Sequence, residues 1–424
     1  MEQAAKTALP MIEPLTSVRL CDGTVFQRVL AHAQLPFLAG LTLESPAVQV
    51  WTWQSGTLVH VVTIDGEDDS ADADGPHKYL RQDVRGRRLH TVAWHPKQAV
   101  LAVNRPDGVA MWSPERGVWR LPWTLPDWKS EQTKEWEAQC GVRYLNAIAF
   151  SPDGTELWCQ GCAIDVGIGA ERMTPRWDTG VAVWPSGQLA LSYMSDQSVT
   201  VGLFISVNAE TTPATLSVLD CPLILEQDGY ETPIISPDGR YLALRGGAYE
   251  VMLDVYELPG LNQVLGVSLA GPDSSFAEFG SWSSFNIAFG DSGALWVGTP
   301  QGTLVTLDVA TTHAKEFEMS ASGPVTSLAR GIDGILVATG DGGLHLVRDS
   351  FGPSRLPTDT DVASQLLATS HNIPYDGSDP DGLFNRLINI YGDPLTLDEY
   401  DNLISNGIIN PPPTRIALSQ LTSG

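Results

Sequence analysis

The sequence predicts an all-β protein: a seven-bladed β-propeller closed by an N-terminal strand, with a small α-helical C-terminal extension. Three observations carry that expectation. A strand–turn–strand unit recurs along the chain, each copy is followed by a third and mostly a fourth short strand, and the repeat signal stops near residue 350, where helical spacing takes over.

The unit is plainest in "LNAIAFSPDGTELWC" (145–159), an alternating apolar run, a Ser-Pro-Asp-Gly turn and a second apolar run. Its order recurs in "LHTVAWHPKQAVLAV" (89–103), "TPIISPDGRYLAL" (232–244), "FNIAFGDSGALWV" (285–297) and "VTSLARGIDGILVAT" (325–339). Third strands follow as "DGVAMW" to Trp112, "DTGVAVW" to Trp184, "YEVMLDVY" to Tyr256, "QGTLVTL" to Leu307 and "DGGLHLV" to Val347, and two further units end at Trp51 and Leu219. Fourth strands are readable in "LVHVVTI" (58–64) and "GVWRLPW" (117–123). Four short strands in about 40–45 residues is the pattern of a propeller blade. Such a sheet has two apolar faces and must stack between neighbours, so only a closed ring leaves no bare end. The last unit lacks a fourth strand, while "PLTSVRLC" (14–21) stands unassigned before the first, so the N-terminal segment is expected to latch the ring. The propeller is therefore placed at 14–350 and the helical extension at 355–424.

In the extension, Val362, Leu366 and Leu367 mark one short helix, and Leu383, Phe384, Leu387, Ile388 and Tyr391 mark a second. A third starts at a Thr396/Glu399 capping box, lines a face with Leu397, Tyr400, Leu403 and Ile404, and stops at Asn406-Gly407. Helices this short bury little alone and are expected to dock on the propeller or on a partner.

The segments "IAFSPDG" (148–154) and "VAVW" (181–184) give the chain a resemblance to the WD40-repeat family over most of residues 15 to 350, with Asp107, Asp178 and Asp341 where that family often has a turn aspartate. It departs from that pattern in lacking any Gly-His dipeptide, and Trp51, Trp112 and Trp184 precede Thr52, Ser113 and Pro185 rather than Asp. The resemblance implies a rigid platform for protein partners.

Charge narrows the partner. The chain carries 25 basic and 50 acidic residues, a formal net charge of −25, which repels nucleic acid and anionic membranes and either recruits a basic protein or simply keeps the chain soluble. Its mean hydropathy is −0.04, there is no secretory leader or spanning run of apolar residues, and five scattered cysteines make no disulfide framework; the expected compartment is the cytoplasm. The compact, irregular repeats suit a bacterial protein. In a propeller the connections from fourth strand to next blade, and from second strand to third, share one face. The segments 65–88, 124–144, 163–179 and 271–284 are assigned there as long irregular loops, a length that usually marks function or disorder. The first holds Asp65, Glu67, Asp68, Asp69, Asp72 and Asp74, read as a solvated acidic arc that meets a basic partner or else as a simple linker. The second holds Trp128 and Trp136 on a short helix, read as interface anchors, whereas Trp119 and Trp123 on the preceding strand fit packing between blades.

No catalytic residues, metal or cofactor are implied. "CQGC" (159–162) has a thiol spacing used in redox and zinc sites, but it reads as one strand with its thiols on opposite faces, and no second pair completes a zinc site. "GSDPDG" (377–382) echoes a calcium loop, yet Gly377 and Ile388 fall where carboxylates are required. The expected function is a non-enzymatic interaction platform, for example an acidic inhibitor or immunity-type protein. The alternative is a lactonase-like propeller hydrolase with its site in the channel.

Overall fold

The computed structural model describes residues 9–20, 24–42, 47–64, 91–105, 108–123, 148–159, 162–174, 180–196, 199–225, 229–246, 251–271, 276–320, 323–349, 360–373 and 415–422. They form seven antiparallel sheets around an axis, each with its first strand innermost. The innermost strands are Phe26–Ala31, Val92–Trp94, Ile148–Phe150, Ala182–Val183, Ile234–Ile235, Ile287–Phe289 and Val325–Gly331, in blades 1 to 7. Four of these run through the triplets Val-Ala-Trp, Ile-Ala-Phe, Val-Ala-Val and Ile-Ala-Phe, whose central Ala93, Ala149, Ala182 and Ala288 are buried. Strands converging on an axis leave room there for small side chains only.

The ring closes as the sequence predicts. Thr16–Arg19 pairs antiparallel with Gly343–Val347 as the outer strand of blade 7, and Phe26–Ala31 follows directly as the inner strand of blade 1. Ser17 Oγ and His345 Nδ1 are hydrogen-bonded at 2.7 Å, and Thr339 Oγ1 donates to Asp341 Oδ1 at 2.6 Å beneath them, so Asp341 braces the turn beside the latch. A second closure was not readable in the sequence. Met11–Ile12 adds in parallel to His313–Met319, the outer strand of blade 6, which lets the N-terminal segment strap two blades.

The repeated turn has a recurring geometry. The residue after the inner strand is His32, His95, Ser151, Trp184, Ser236 or Gly290, and in each case its N–H donates back to the start of the second strand at 2.8 to 2.9 Å. In both Ser-Pro-Asp-Gly copies the serine hydroxyl donates to the aspartate at 2.6 Å and accepts the N–H five residues on at 2.9 Å. Gly154 there has φ +81°, and a Cβ at this position would overlap His95 of the preceding blade, so this turn needs glycine for both its backbone and its neighbour. The turns also touch around the ring: His32 Nε2 donates to Gln98 O at 2.8 Å, and Trp184 Nε1 donates to Gly239 O at 3.1 Å.

Two blades differ from the sequence expectation. "DTGVAVW" is not a third strand: Ala182–Val183 is the inner strand of blade 4, and the third strand of blade 3 is Cys162–Asp165. Residues 163–179 are accordingly no long loop, since they include that strand and Glu171–Met173, its outer neighbour. Blade 4 has a ten-residue third strand, Val199–Asn208, flanked by Thr215–Leu219 and Leu223–Leu225, so "PATLSVL" to Leu219 belongs to the outer edge. Cys159 and Cys162 do not point to opposite faces of one strand. They end two strands of a hairpin and stand directly opposite each other, buried and unbridged, with the Cys159 thiol pushed up in pKa by burial and by its neighbour. Residues 271–284 likewise contain a short helix, Phe276–Ser281.

Blades are tied by packing and by a few buried polar groups. Glu156, 3% exposed, accepts two hydrogen bonds of 2.7 Å from Arg172, which also donates to Ala214 O at 2.8 Å, joining blade 3 to blade 4. Of the extension, the helix Thr360–Thr369 buries Ala363 and Leu366 in the core shared by blades 4 and 5, and Asn372–Ile373 extends the sheet of blade 4. Ile416–Ala417 adds in parallel to blade 5, and Leu418 of the helix Leu418–Leu421 enters the core between blades 5 and 6. The two other helices read from the sequence, and residues 377–382, lie outside the described residues.

Three buried histidines give the fold a pH dependence. His32, His95 and His345 all have pKa values lowered, chiefly by burial, with His32 and Lys97 adding to the effect at His95 and Asp341 opposing it at His345. Below a pH of about 6.5 the unfolded chain therefore binds more protons than the folded one, and stability falls as pH falls, by at most about 1.4 kcal/mol per pH unit for each histidine. Thermal melts should show a lower midpoint at about pH 5.5 than at about pH 7.5, and His345→Gln should flatten the slope. A midpoint that holds steady across that range would refute this assignment.

Candidate interaction face and channel mouth

Antiparallel blades with the inner strand first send the connections from fourth strand to first, and from second to third, out of one face. Ile64, the last residue of the outer strand of blade 1, and Trp123, just beyond the outer strand of blade 2, mark where the two longest connections between consecutive blades leave; Thr91 and Ile148 mark where they return. Asp65, Glu67, Asp68, Asp69, Asp72, Asp74, Trp128 and Trp136 all lie outside the described residues, in those two connections. Of the tryptophans before them, Trp123 is 8% exposed and donates its indole N–H to Glu171 at 2.8 Å, and Trp119 packs on the same core with Arg116 over its ring at 4.5 Å.

Propeller blades surround a central channel, and its mouth on this face, where the inner strands begin, holds a cluster that no local motif announces. Arg28 on the inner strand of blade 1 reaches in front of blade 7, and its guanidinium lies 4.2 Å from the ring centroid of Phe285, just before the inner strand of blade 6. Phe285 has φ +57°, a left-handed conformation that is a genuine outlier for a bulky residue. Three hydrogen bonds hold it. Its N–H donates to Glu231 Oε2 at 2.7 Å, and its carbonyl accepts from Leu328 N at 2.8 Å and Ser327 Oγ at 3.2 Å. The same Ser327 hydroxyl accepts from Val29 N at 3.1 Å, so one side chain of blade 7 fixes the backbones on both sides of the stack.

Glu231, before the inner strand of blade 5, spends its other oxygen on Arg245 Nη1 at 3.2 Å. Arg245 is 1% exposed; it donates from Nε to Asn286 Oδ1 at 3.0 Å and from Nη2 to Ser283 O at 2.9 Å. Asn286 Nδ2 in turn donates to Gly298 O at 2.7 Å. Four blades thus meet through one polar network at the mouth. Burial lowers the pKa of Arg28 to about 10, with Glu231 favouring the charged form, so the side chain remains a cation at neutral pH, and the residue as a whole is half-buried.

On the opposite face an apolar groove runs between blades 7 and 1, enclosing about 310 Å³ with its mouth and lined by Leu35, Phe37, Trp53, Leu58, Ile332 and Leu336. Among the described residues, no three His, Cys, Asp or Glu side chains are grouped to hold a metal ion, and no helix is long and apolar enough to cross a membrane. No family model matches the chain, and no curated protein matches it.

Proposed function

We propose that the protein is a non-enzymatic interaction platform, an acidic inhibitor or immunity-type protein that binds a basic protein through the loop-bearing face of the propeller. The observation that carries this reading is the ring itself. Seven blades strapped at the closure make a rigid scaffold, and the described ends of the segments 65–90 and 124–147, whose sequence holds six carboxylates in residues 65–74 and Trp128 and Trp136, support a loop-borne binding surface. A chain with a net charge of −25 attracts cationic partners at long range, and exposed charge acts on the rate of encounter more than on the final contacts.

Affinity capture from the native host identifies the partner, and binding kinetics then test the face. Neutralising Asp65, Glu67, Asp68, Asp69, Asp72 and Asp74 together should leave the melting temperature nearly unchanged and slow association about tenfold at low salt, an effect that fades as salt rises. Trp128→Ala with Trp136→Ala should instead speed dissociation by tenfold or more, as loss of buried anchors does. If both sets of variants bind as wild type does, the binding surface lies elsewhere.

A further inference from the structure

At the channel mouth Arg28 is placed as a receptor rather than as half of a pair. Among the described residues its guanidinium makes no side-chain hydrogen bond or ion pair within 4 Å; it lies over the face of Phe285, with the Glu231 charge acting on it from farther off. The nearest carboxylate of the network, Glu231, has one oxygen engaged by the Phe285 N–H and the other by Arg245. A stacked guanidinium has its face covered and its N–H edge free, which leaves open the fork that matches a planar carboxylate in two parallel hydrogen bonds.

We propose that the mouth of the channel binds a carboxylate, held edge-on by Arg28 with Phe285 fixing the plane of the guanidinium. Two further features of the structure support this. The left-handed backbone of Phe285 stores strain of the kind found at ligand sites, and it is over-determined by Glu231, Ser327 and Leu328. The backbone beside Arg28, at Val29, and the backbone of Phe285 are also tied through the single Ser327 hydroxyl, which fixes the two segments that carry the stack and lowers the cost of ordering when a ligand arrives. The deep setting, which lowers the Arg28 pKa without discharging it, strengthens any charge-assisted hydrogen bond formed there. In a protein so acidic overall, this localised cation selects for a ligand small enough, or a chain end narrow enough, to enter the channel without meeting the surface charge broadside.

The carboxylate comes either from a free small acid or from the C-terminus of a partner chain, and the site does not depend on the basic-partner reading. Calorimetric titration of the full chain with succinate, with a short peptide bearing a free C-terminus, with the same peptide amidated, and with inorganic phosphate separates these sources. Binding of succinate supports a small acid; binding of the free peptide but neither its amide nor succinate supports a chain end. Arg28→Gln should abolish whichever binding is seen, and Arg28→Lys, which keeps the charge but loses the fork, should weaken it at least tenfold. The proposal fails if none of the carboxylates binds, if phosphate binds more tightly than all of them, or if Arg28→Gln binds as wild type does. Should Arg28→Gln not fold, crystals of the unaltered protein soaked in the probe that binds decide the matter. A carboxylate within hydrogen-bond reach of Arg28 upholds the site, and a carboxylate bound elsewhere overturns it.

Discussion

Removing residues 1–22 is expected to lower the melting temperature by on the order of 10 °C and to make the protein associate, because it takes away both closures at once. The deletion strips Thr16–Arg19 from blade 7 and Met11–Ile12 from blade 6, and with them the buried side chains of Ile12 and Leu20. Burial of two such side chains contributes roughly 1.5–3 kcal/mol each. The carbonyls of Leu346 and Gly342 also lose the N–H donors of Leu15 and Leu20, and His345 loses Ser17. The larger effect is on the ring. Gly343–Val347 becomes a bare edge, and an unpaired edge recruits strands from other molecules. A shorter deletion, residues 1–13, removes the parallel addition to blade 6 alone and should cost less than half as much while leaving the protein monomeric. Melting curves with light scattering on both truncations test the scheme, and an unchanged, monomeric protein lacking residues 1–22 would falsify it.

That latch was legible in the sequence because it follows from counting strands. Six blades carry their own fourth strand, "DGGLHLV" has none after it, and "PLTSVRLC" precedes the first. The ring was legible for a related reason: an inner strand, a tight turn and a second strand are demands each blade makes separately, so the signal repeats. The same economy explains the error in blades 3 and 4. Val181-Ala182-Val183-Trp184 satisfies the inner-strand triplet as well as the end of a third strand, and only the ring shows that Trp184 occupies the turn position held elsewhere by His95 or Ser236. The parallel additions Met11–Ile12 and Ile416–Ala417 are two residues each, too short for any periodicity. Arg28, Glu231, Arg245 and Phe285 were invisible because nothing local singles them out. Each is a single residue on or shortly before an inner strand, or near the end of a second strand, and only ring closure brings blade 1 within side-chain reach of blade 6. The carboxylates and tryptophans chosen from composition are in the two longest connections, where the chain sequence alone can nominate them and the described residues add only the points of departure and return.

The network at the mouth gives the second large effect. Glu231→Gln should destabilise the protein by about 3–5 kcal/mol, the range seen when one partner of a buried ion pair is removed. Two consequences of the substitution act together. Arg245, whose side chain is 2% exposed, keeps its hydrogen bonds to Asn286 and Ser283 but loses its 3.2 Å ion pair with the Glu231 carboxylate. Phe285 exchanges a charged acceptor at 2.7 Å for a neutral one, weakening the anchor that holds its left-handed backbone. These causes separate in a double variant. Replacing both members of a buried pair is far less costly than replacing one, so Glu231→Gln with Arg245→Met should recover a good part of the loss while the Phe285 anchor stays weak. Urea denaturation of the two single variants and the double one measures the coupling, and a Glu231→Gln protein within about 0.5 kcal/mol of wild type would show that the pair does not hold the mouth. Because Arg28 contacts Phe285 and not Glu231, the same variants also ask whether the stack needs that anchor: if the double variant regains stability yet Arg28 no longer binds its carboxylate, Glu231 is a positioning residue for the site as well as the counter-charge of Arg245.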